Sequence, residues 1–213
     1  MPKRVDHEER RTAIARALIR VAGRRGLHQV GMRDVAAEAG ISLRLVQYYF
    51  ETKEKLLLHG LRQLAADFGE RATARRRAAG EDAGPRAAVE ALLLESLPTD
   101  EESRTFHLLF TSYAVLAATD EALAAQPFTD APDAAENAVT HLLEQALGEG
   151  LLTPGADPRR EAAGLLAMAA GLGSGILAGQ RSPHDAAGVP GQRGRRGARA
   201  GPLPARAGLL VVD

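Results

Sequence analysis

The chain has 213 residues, of which 45% are hydrophobic and 25% charged, and its formal net charge is zero. It contains no cysteine, which excludes disulfide bonds, thiolate metal sites and a cysteine nucleophile. No apolar run reaches the roughly 18 to 20 residues that a membrane span needs, and the charged N-terminus lacks the apolar core of a secretory signal. We therefore expect a cytoplasmic globular protein that needs no metal or other cofactor.

The zero net charge conceals an uneven distribution along the chain. Residues 1–78 carry 17 Lys and Arg against 9 Asp and Glu, residues 79–180 carry 4 against 16, and residues 181–213 carry 6 against 2. The basic N-terminal segment is therefore the part suited to binding polyanions. Chance unevenness among solvated helix faces is the alternative explanation.

Apolar residues recur at spacings of three and four through the first 180 residues, which predicts an all-α fold. The acidic, glycine-bearing segment 79–84 is the expected internal boundary. Residues 127–132 are expected to form a loop. The predicted helices span residues 8–25, 32–39, 42–49, 52 to about 77, 85–97, 100–118, 135–148 and 157–177.

Two short predicted helices, 32–39 and 42–49, meet at Gly40, and Ser42 is a suitable N-cap for the second. This pattern is typical of a helix-turn-helix, in which one helix braces the phosphate backbone and the other lies in the major groove. The alternative is an ordinary helical hairpin that buries Tyr48, Tyr49 and Phe50.

Side chains on the second short helix have the chemistry that DNA recognition needs. Arg44 can pair with guanine and Gln47 with adenine through two hydrogen bonds each. Tyrosine hydroxyls commonly reach phosphates. Lys53 stands at the start of the next predicted helix, where backbone amides also bind phosphate.

The run from Met32 to Leu57 resembles the signature of the TetR (tetracycline-repressor) family. The resemblance lies in Ala39-Gly40-Ile41-Ser42 at the turn and in Tyr48-Tyr49-Phe50-Glu51-Thr52-Lys53-Glu54-Lys55-Leu56-Leu57 after it. The preceding helix is similar to the family's first helix, so the match covers residues 8–57. Gly31 departs from the hydroxyl residue common before the second helix, which makes Arg33 the expected phosphate ligand nearby.

The resemblance implies a homodimeric DNA-binding regulator without catalytic activity, most often a repressor, which a small molecule releases from operator DNA. Residues 1–57 would be the DNA-binding domain, with a linking helix to about 78, and residues 84–180 the effector-binding and dimerisation domain. The residues expected to bind DNA are Arg33, Ser42, Leu43, Arg44, Gln47, Tyr48, Tyr49 and Lys53.

In the C-terminal half the resemblance rests on helix order, and it implies that residues 158–177 and one further helix form the dimer interface. We expect that further helix to begin at Ser182, but the sequence then passes into a different composition. Of the 28 residues from Ala186 to Asp213, 20 are Gly, Ala, Arg or Pro, which predicts disorder. Because these residues have GC-rich codons, our hypothesis for this tail is a frameshift.

An effector site is expected where aromatic and hydrogen-bonding side chains mix. The candidate residues are Phe106, His107, Phe110, Thr111 and Tyr113, with ordinary helix core as the alternative. Two rival functions stay open at this point. One is an α-helical enzyme or lipid carrier, and the other is a protein that coats DNA without sequence preference.

Overall fold

The computed structural model describes residues 2–80, 84–127 and 130–183. This part of the chain is all-α and contains no β-strand. The predicted tail, residues 186–213, lies outside it. The helices are α1 (Pro2–Arg25), α2 (Met32–Ala39), α3 (Leu43–Phe50), α4 (Lys53–Ala78), α5 (Pro85–Glu95), α6 (Glu101–Ala117), α7 (Glu121–Ala124), α8 (Asp130–Gly148) and α9 (Pro158–Leu177), with a 3-10 turn at Leu27–Gln29.

Most predicted helices are confirmed to within a few residues of their ends, and the signals at those ends are local. Asp157 accepts hydrogen bonds from the backbone of Arg159 and Arg160 and so caps α9. Asp100 caps α6 by accepting the N–H of Ser103, and the Ser103 hydroxyl accepts the N–H of Asp100 in return. Helix α1 begins earlier than expected, at Pro2.

The predicted C-terminal boundary of the loop 127–132 was wrong, and the short helix α7 was not predicted. Helix α8 begins at Asp130, because Pro132 falls in the first turn, where a helix needs no N–H donor. Helix α7 has four residues, too few to show an apolar stripe; Asp120 caps it and Leu123 is its buried residue. Helix α5 ends at Glu95 rather than Leu97, since Pro98 disfavours helical backbone at the residue before it.

The chain divides into two compact units, residues 1–67 with 105–131, and residues 68–104 with 132–213. Helices α4 and α6 therefore contribute residues to both units, as does α8 through its first two residues. Domain boundaries at 57 and 84 differ from this division, because 105–131 group with the N-terminal helices. The buried core of the first unit includes Ile14, Leu18, Val35, Val46, Phe50, Leu56, Leu61, Leu109 and Tyr113.

The second unit is built on α5, α8 and α9. Its core includes Val89, Leu93, Val139, Leu143, Leu165 and Ala169. The unit also buries the carboxylate of Glu95, which accepts a 2.5 Å hydrogen bond from Arg71 and a 3.3 Å bond from Arg75. These bonds join the end of α4 to α5, so one arginine of the basic run 75–77 has an intramolecular partner.

Among the described residues, no helix is both long and apolar enough to cross a lipid bilayer.

Candidate nucleic-acid interface

The turn between α2 and α3 is set by backbone chemistry at Gly40. This residue has φ 65° and ψ 31°, a left-handed conformation that glycine adopts without the penalty of a Cβ. The following N–H, that of Ile41, donates to the carbonyl of Ala36 at 3.0 Å and closes the end of α2. Ile41 packs against the core of the first unit. A glycine stop and an apolar residue after it thus fix where α3 begins.

Helix α3 has one face in the core and the opposite face exposed. The Ser42 hydroxyl accepts the Leu45 N–H at 3.2 Å and caps the helix. Val46 and Phe50, four residues apart, are buried at 0% and 2% exposure. Arg44, Gln47 and Tyr48 are exposed, Tyr48 at 68%. Spacings of three and four place these exposed residues on one side of the helix.

The sharp connection from α3 to α4 is centred on Glu51. Its φ of 56° and ψ of −57° are rare for a residue with a side chain, and Thr52 N–H donates to the Phe50 carbonyl across it, as in a γ-turn. Lys55 forms a 2.6 Å ion pair with Glu51 and thereby lowers the pKa of that carboxyl. Thr52 immediately precedes Lys53, the first residue of α4, and its hydroxyl caps this helix by accepting the Lys55 N–H.

Ion pairs hold α2 against α1. Glu38 of α2 accepts hydrogen bonds from Arg20 and Arg24 of α1, and these two guanidinium groups lower the pKa of its carboxyl. Arg25 bonds to Asp34 at 3.0 Å, and Asp34 also accepts the N–H of Gly31 at the start of α2. Three basic residues of α1 are therefore already paired within the protein.

The basic residues that are predicted to contact DNA, unlike these three of α1, are not held in ion pairs among the described residues. Within the described ranges, Arg33, Arg44 and Lys53 form no ion pair, and Arg33 and Arg44 are exposed. Helix α3 itself carries no acidic residue. The exposed side of this helix thus offers a cation and neutral hydrogen-bonding groups, which suit a polyanion whose bases carry both donors and acceptors.

Of the other predicted DNA-binding residues, Ser42 is exposed and the remaining three are not. Leu43 and Tyr49 are half-buried and pack against the core of the first unit, and Lys53 is also half-buried. The Tyr49 ring lies between two aromatic contacts, with centroid distances of 5.7 Å to His7 and 5.3 Å to Tyr48. Tyr49 therefore orients Tyr48 through an edge-to-face contact rather than standing out from the surface itself.

Sequence reasoning missed Arg11, whose side chain lies against the end of α3. Its Nη1 donates to the Tyr49 carbonyl at 3.2 Å, and its guanidinium carbon lies 4.9 Å from the centre of the Phe50 ring. No spacing rule links residues 38 positions apart, so the sequence held no signal for this contact.

The predicted effector residues do not share one face of α6. Phe106, Phe110 and Tyr113 follow the helical repeat and pack into the core of the first unit, where the two phenylalanine rings stack at 5.4 Å. Tyr113 has no exposed surface, its hydroxyl donates to the Leu123 carbonyl, and burial raises its pKa. His107 is buried at 7% exposure, whereas Thr111 is exposed.

A glycine-closed turn between two short helices, with a polar face on the second, defines this chain as a helix-turn-helix protein. Residues 14–59 match the family model described as bacterial regulatory proteins of the tetR family, and residues 85–189 match the BetI-type transcriptional repressor C-terminal model. The chain belongs to the TetR family of bacterial regulatory proteins.

Individual relatives agree with this assignment. The transcriptional regulator PksA of Bacillus subtilis is 37% identical over 117 residues, which is 54% of this chain and 56% of that protein. The regulator BetI of Agrobacterium fabrum is 37% identical over 101 residues, which is 47% of this chain and 48% of BetI. The chain thus spans about half the length of these curated relatives.

A solved structure extends the likeness over most of the chain. A putative TetR-family transcriptional regulator from Rhodococcus sp. has a TM-score of 0.75 and 27% identity, and the match covers 86% of this chain and 95% of that one.

Proposed function

We propose that this protein is a sequence-specific DNA-binding transcriptional regulator, a repressor that a small molecule releases from its operator. The observation that carries the proposal is the exposed face of α3, where Arg44, Gln47 and Tyr48 stand together on a helix whose other side is buried. The regulator names of the relatives support the same function. The BetI-type C-terminal match supports repression rather than activation.

The chemistry assigns different tasks to the exposed groups. Arg44 donates two hydrogen bonds to guanine, and Gln47 pairs with adenine, each contact giving about 1–3 kcal/mol of discrimination. Arg33 and Lys53, which precede and follow α3 in the chain, contact DNA phosphates. The hydroxyls of Ser42 and Tyr48 add contacts to the DNA backbone. Leu43 and Tyr49 provide apolar and positional support at the two ends of the helix.

A homodimer accounts for sequence recognition over two half-sites about 34–36 Å apart. Helix α9 supports this proposal. Its buried side includes Leu165 and Ala169, whereas its exposed side consists largely of small residues. A Cβ added at Gly164 or Gly171 would meet no described atom within 4 Å, so this surface is open in the single chain. Small residues allow a second helix to approach closely.

Effector release requires that the small molecule bind one conformation better than another. We place the effector beside α6, near the stacked rings of Phe106 and Phe110 and the buried side chains of His107 and Tyr113. Thr111 is exposed, so it would reach the effector only from the solvent side of the helix. It belongs to the same compact unit as the DNA-binding helices. A ligand that moves α6 would therefore change packing within the unit that holds α3. A regulator of bacterial genes works in the cytoplasm, which is where we place it.

The experiment is a selection from random duplex DNA with the purified protein. Enrichment of a two-fold symmetric sequence, with preference over an unrelated duplex retained at moderate salt, would support the proposal. Equal binding to all duplexes would instead favour a DNA-coating protein. Absence of DNA binding together with catalytic turnover or lipid binding would favour an enzyme or carrier.

A further inference from the structure

The C-terminal end of the recognition helix α3 has no basic residue of its own to offset its partial negative charge. An α-helix leaves its last four carbonyls without intrahelical partners and carries partial negative charge at that end. Helix α3 has no basic residue in its last turn. Two of its last carbonyls have partners in the turn after the helix. The Gln47 carbonyl accepts the N–H of Glu51, and the Phe50 carbonyl accepts the N–H of Thr52.

The Tyr49 carbonyl is satisfied from another helix. Arg11 of α1 donates to it at 3.2 Å, which brings a guanidinium to the negative end of α3. The same guanidinium lies over the Phe50 ring at 4.9 Å, within the range of a cation–π contact. Phe50 in turn contacts the His59 ring of α4 at 5.2 Å. One side chain thus connects α1 to the C-terminal turn of α3 in two ways.

We propose that Arg11 is a positioning residue for DNA recognition: it fixes the end of α3 from behind, and thereby the angle at which Gln47 and Tyr48 meet the bases. This inference rests on the proposed DNA-binding function. It assigns Arg11 an effect on discrimination between sequences rather than on attraction to phosphates. Helix α3 has only two turns, so a loose C-terminal turn leaves the Ser42 cap and the packed side chains of Leu43 and Val46 as its remaining anchors.

The test compares Arg11→Gln with Arg16→Gln, which removes the same charge from an exposed position on the same helix. For each protein, affinity is measured for the selected operator and for an unrelated duplex over a range of salt concentrations. We expect Arg11→Gln to lower the ratio of the two affinities about tenfold, the equivalent of one lost base contact. Arg16→Gln should leave the ratio unchanged.

Three outcomes would overturn the proposal. An Arg11→Gln protein that melts at a lower temperature but keeps the wild-type affinity ratio would show a purely structural role. A salt slope reduced by about 0.9 with an unchanged ratio would show that Arg11 contacts a phosphate itself. An equal loss of discrimination in Arg16→Gln would show a general charge effect.

Two further measurements keep the test decisive if Arg11→Gln is poorly folded. Arg11→Lys retains the charge and a donor but not the planar fork, so we expect partial recovery of discrimination. In Arg11→Gln, amide hydrogen exchange at the end of α3, including Glu51, should be faster than in the wild type, while α2 stays protected. Unchanged exchange at the end of α3 would contradict the proposal. If the wild-type protein itself prefers no duplex, the proposed function fails, whereas the Arg11 contact is still tested by exchange.

Discussion

Glu38 of α2 lies 2.7 Å from the Nε of Arg20 on α1, and the same carboxylate also accepts a bond from Arg24. The side chains of Arg20 and Arg24 are 50% and 58% exposed, so this group is a surface feature rather than part of the core. Its main consequence is electrostatic, because one carboxylate neutralises part of the basic charge on the N-terminal unit.

Replacing this carboxylate should increase attraction to DNA without adding sequence preference. In Glu38→Gln, Arg20 and Arg24 lose their anionic partner beside α2, the helix that we propose braces the phosphate backbone. We expect tighter binding to an unrelated duplex at low salt, with a salt slope steeper by about 0.9 for each added phosphate contact. Glu90→Gln removes the same charge from an exposed pair on α5 and should change neither quantity. An unchanged slope in Glu38→Gln would contradict this account.

The His59 ring gives a pH dependence of stability. Burial is the main cause that lowers its pKa from 6.5, with the neighbouring cations Arg11 and Arg62 adding to the effect and Glu8 opposing it. Its Nε2 is buried without a hydrogen-bond partner among the described residues. Because the unfolded chain takes up the proton more readily, stability should fall as pH drops below about 6.5 and level off below the folded pKa.

Thermal unfolding measured at about pH 7.5 and about pH 5 checks this dependence. His59→Gln, which removes the titrating group, should lose less stability than the wild type over that interval. His28→Gln, an exposed histidine outside this contact, serves as the control. A wild-type loss no larger than that of His59→Gln would show that other groups cause the pH effect.

The strained turn at Glu51 predicts the effect of a glycine. A non-glycine residue in a sparsely populated backbone region costs about 1–3 kcal/mol, and glycine removes most of that cost while adding chain entropy. The comparison is Glu51→Gly with Glu51→Ala, because both lose the Lys55 ion pair equally. We expect the folding equilibrium constant of Glu51→Gly to be about fivefold larger than that of Glu51→Ala. Equal or lower stability of the glycine variant in denaturant unfolding would show that the turn is not strained.

The exposed small-residue side of α9 predicts the effect of a bulky side chain. A Cβ added at Gly171 would meet no described atom within 4 Å, so we expect the helix to fold normally with a side chain at this position. In a dimer packed through this face, the leucine would hold the two helices apart. We expect sedimentation to show monomers and operator affinity to fall. Gly69→Leu, an exposed helical glycine on α4 that is equally open, is the control. A dimer that survives Gly171→Leu would place the interface elsewhere.

The parts of the fold that the sequence predicted depend on short-range chemistry. Gly40 and Ser42 end one helix and start the next through bonds to residues a few positions away, so the helix-turn-helix could be located from the chain alone. Asp100 and Asp157 act in the same way for α6 and α9.

What the sequence could not predict depends on packing between distant residues. Tyr113 is buried with Leu56 and Leu61 of α4, which places residues 105–131 in the N-terminal unit, and no local pattern encodes that choice. The bond from Arg11 to Tyr49 has the same origin. Helix α7 was too short for periodicity, since its four residues bury one side chain, Leu123.

The most direct test of base recognition by α3 compares two variants on the selected operator and an unrelated duplex. Arg44→Ala combined with Gln47→Ala should lower the ratio of the two affinities at least tenfold, because about 1–3 kcal/mol of discrimination is lost at each position. Lys53→Ala should weaken binding to both duplexes alike and reduce the salt slope by about 0.9. An unchanged affinity ratio in the double variant would contradict the assignment of α3 as the recognition helix.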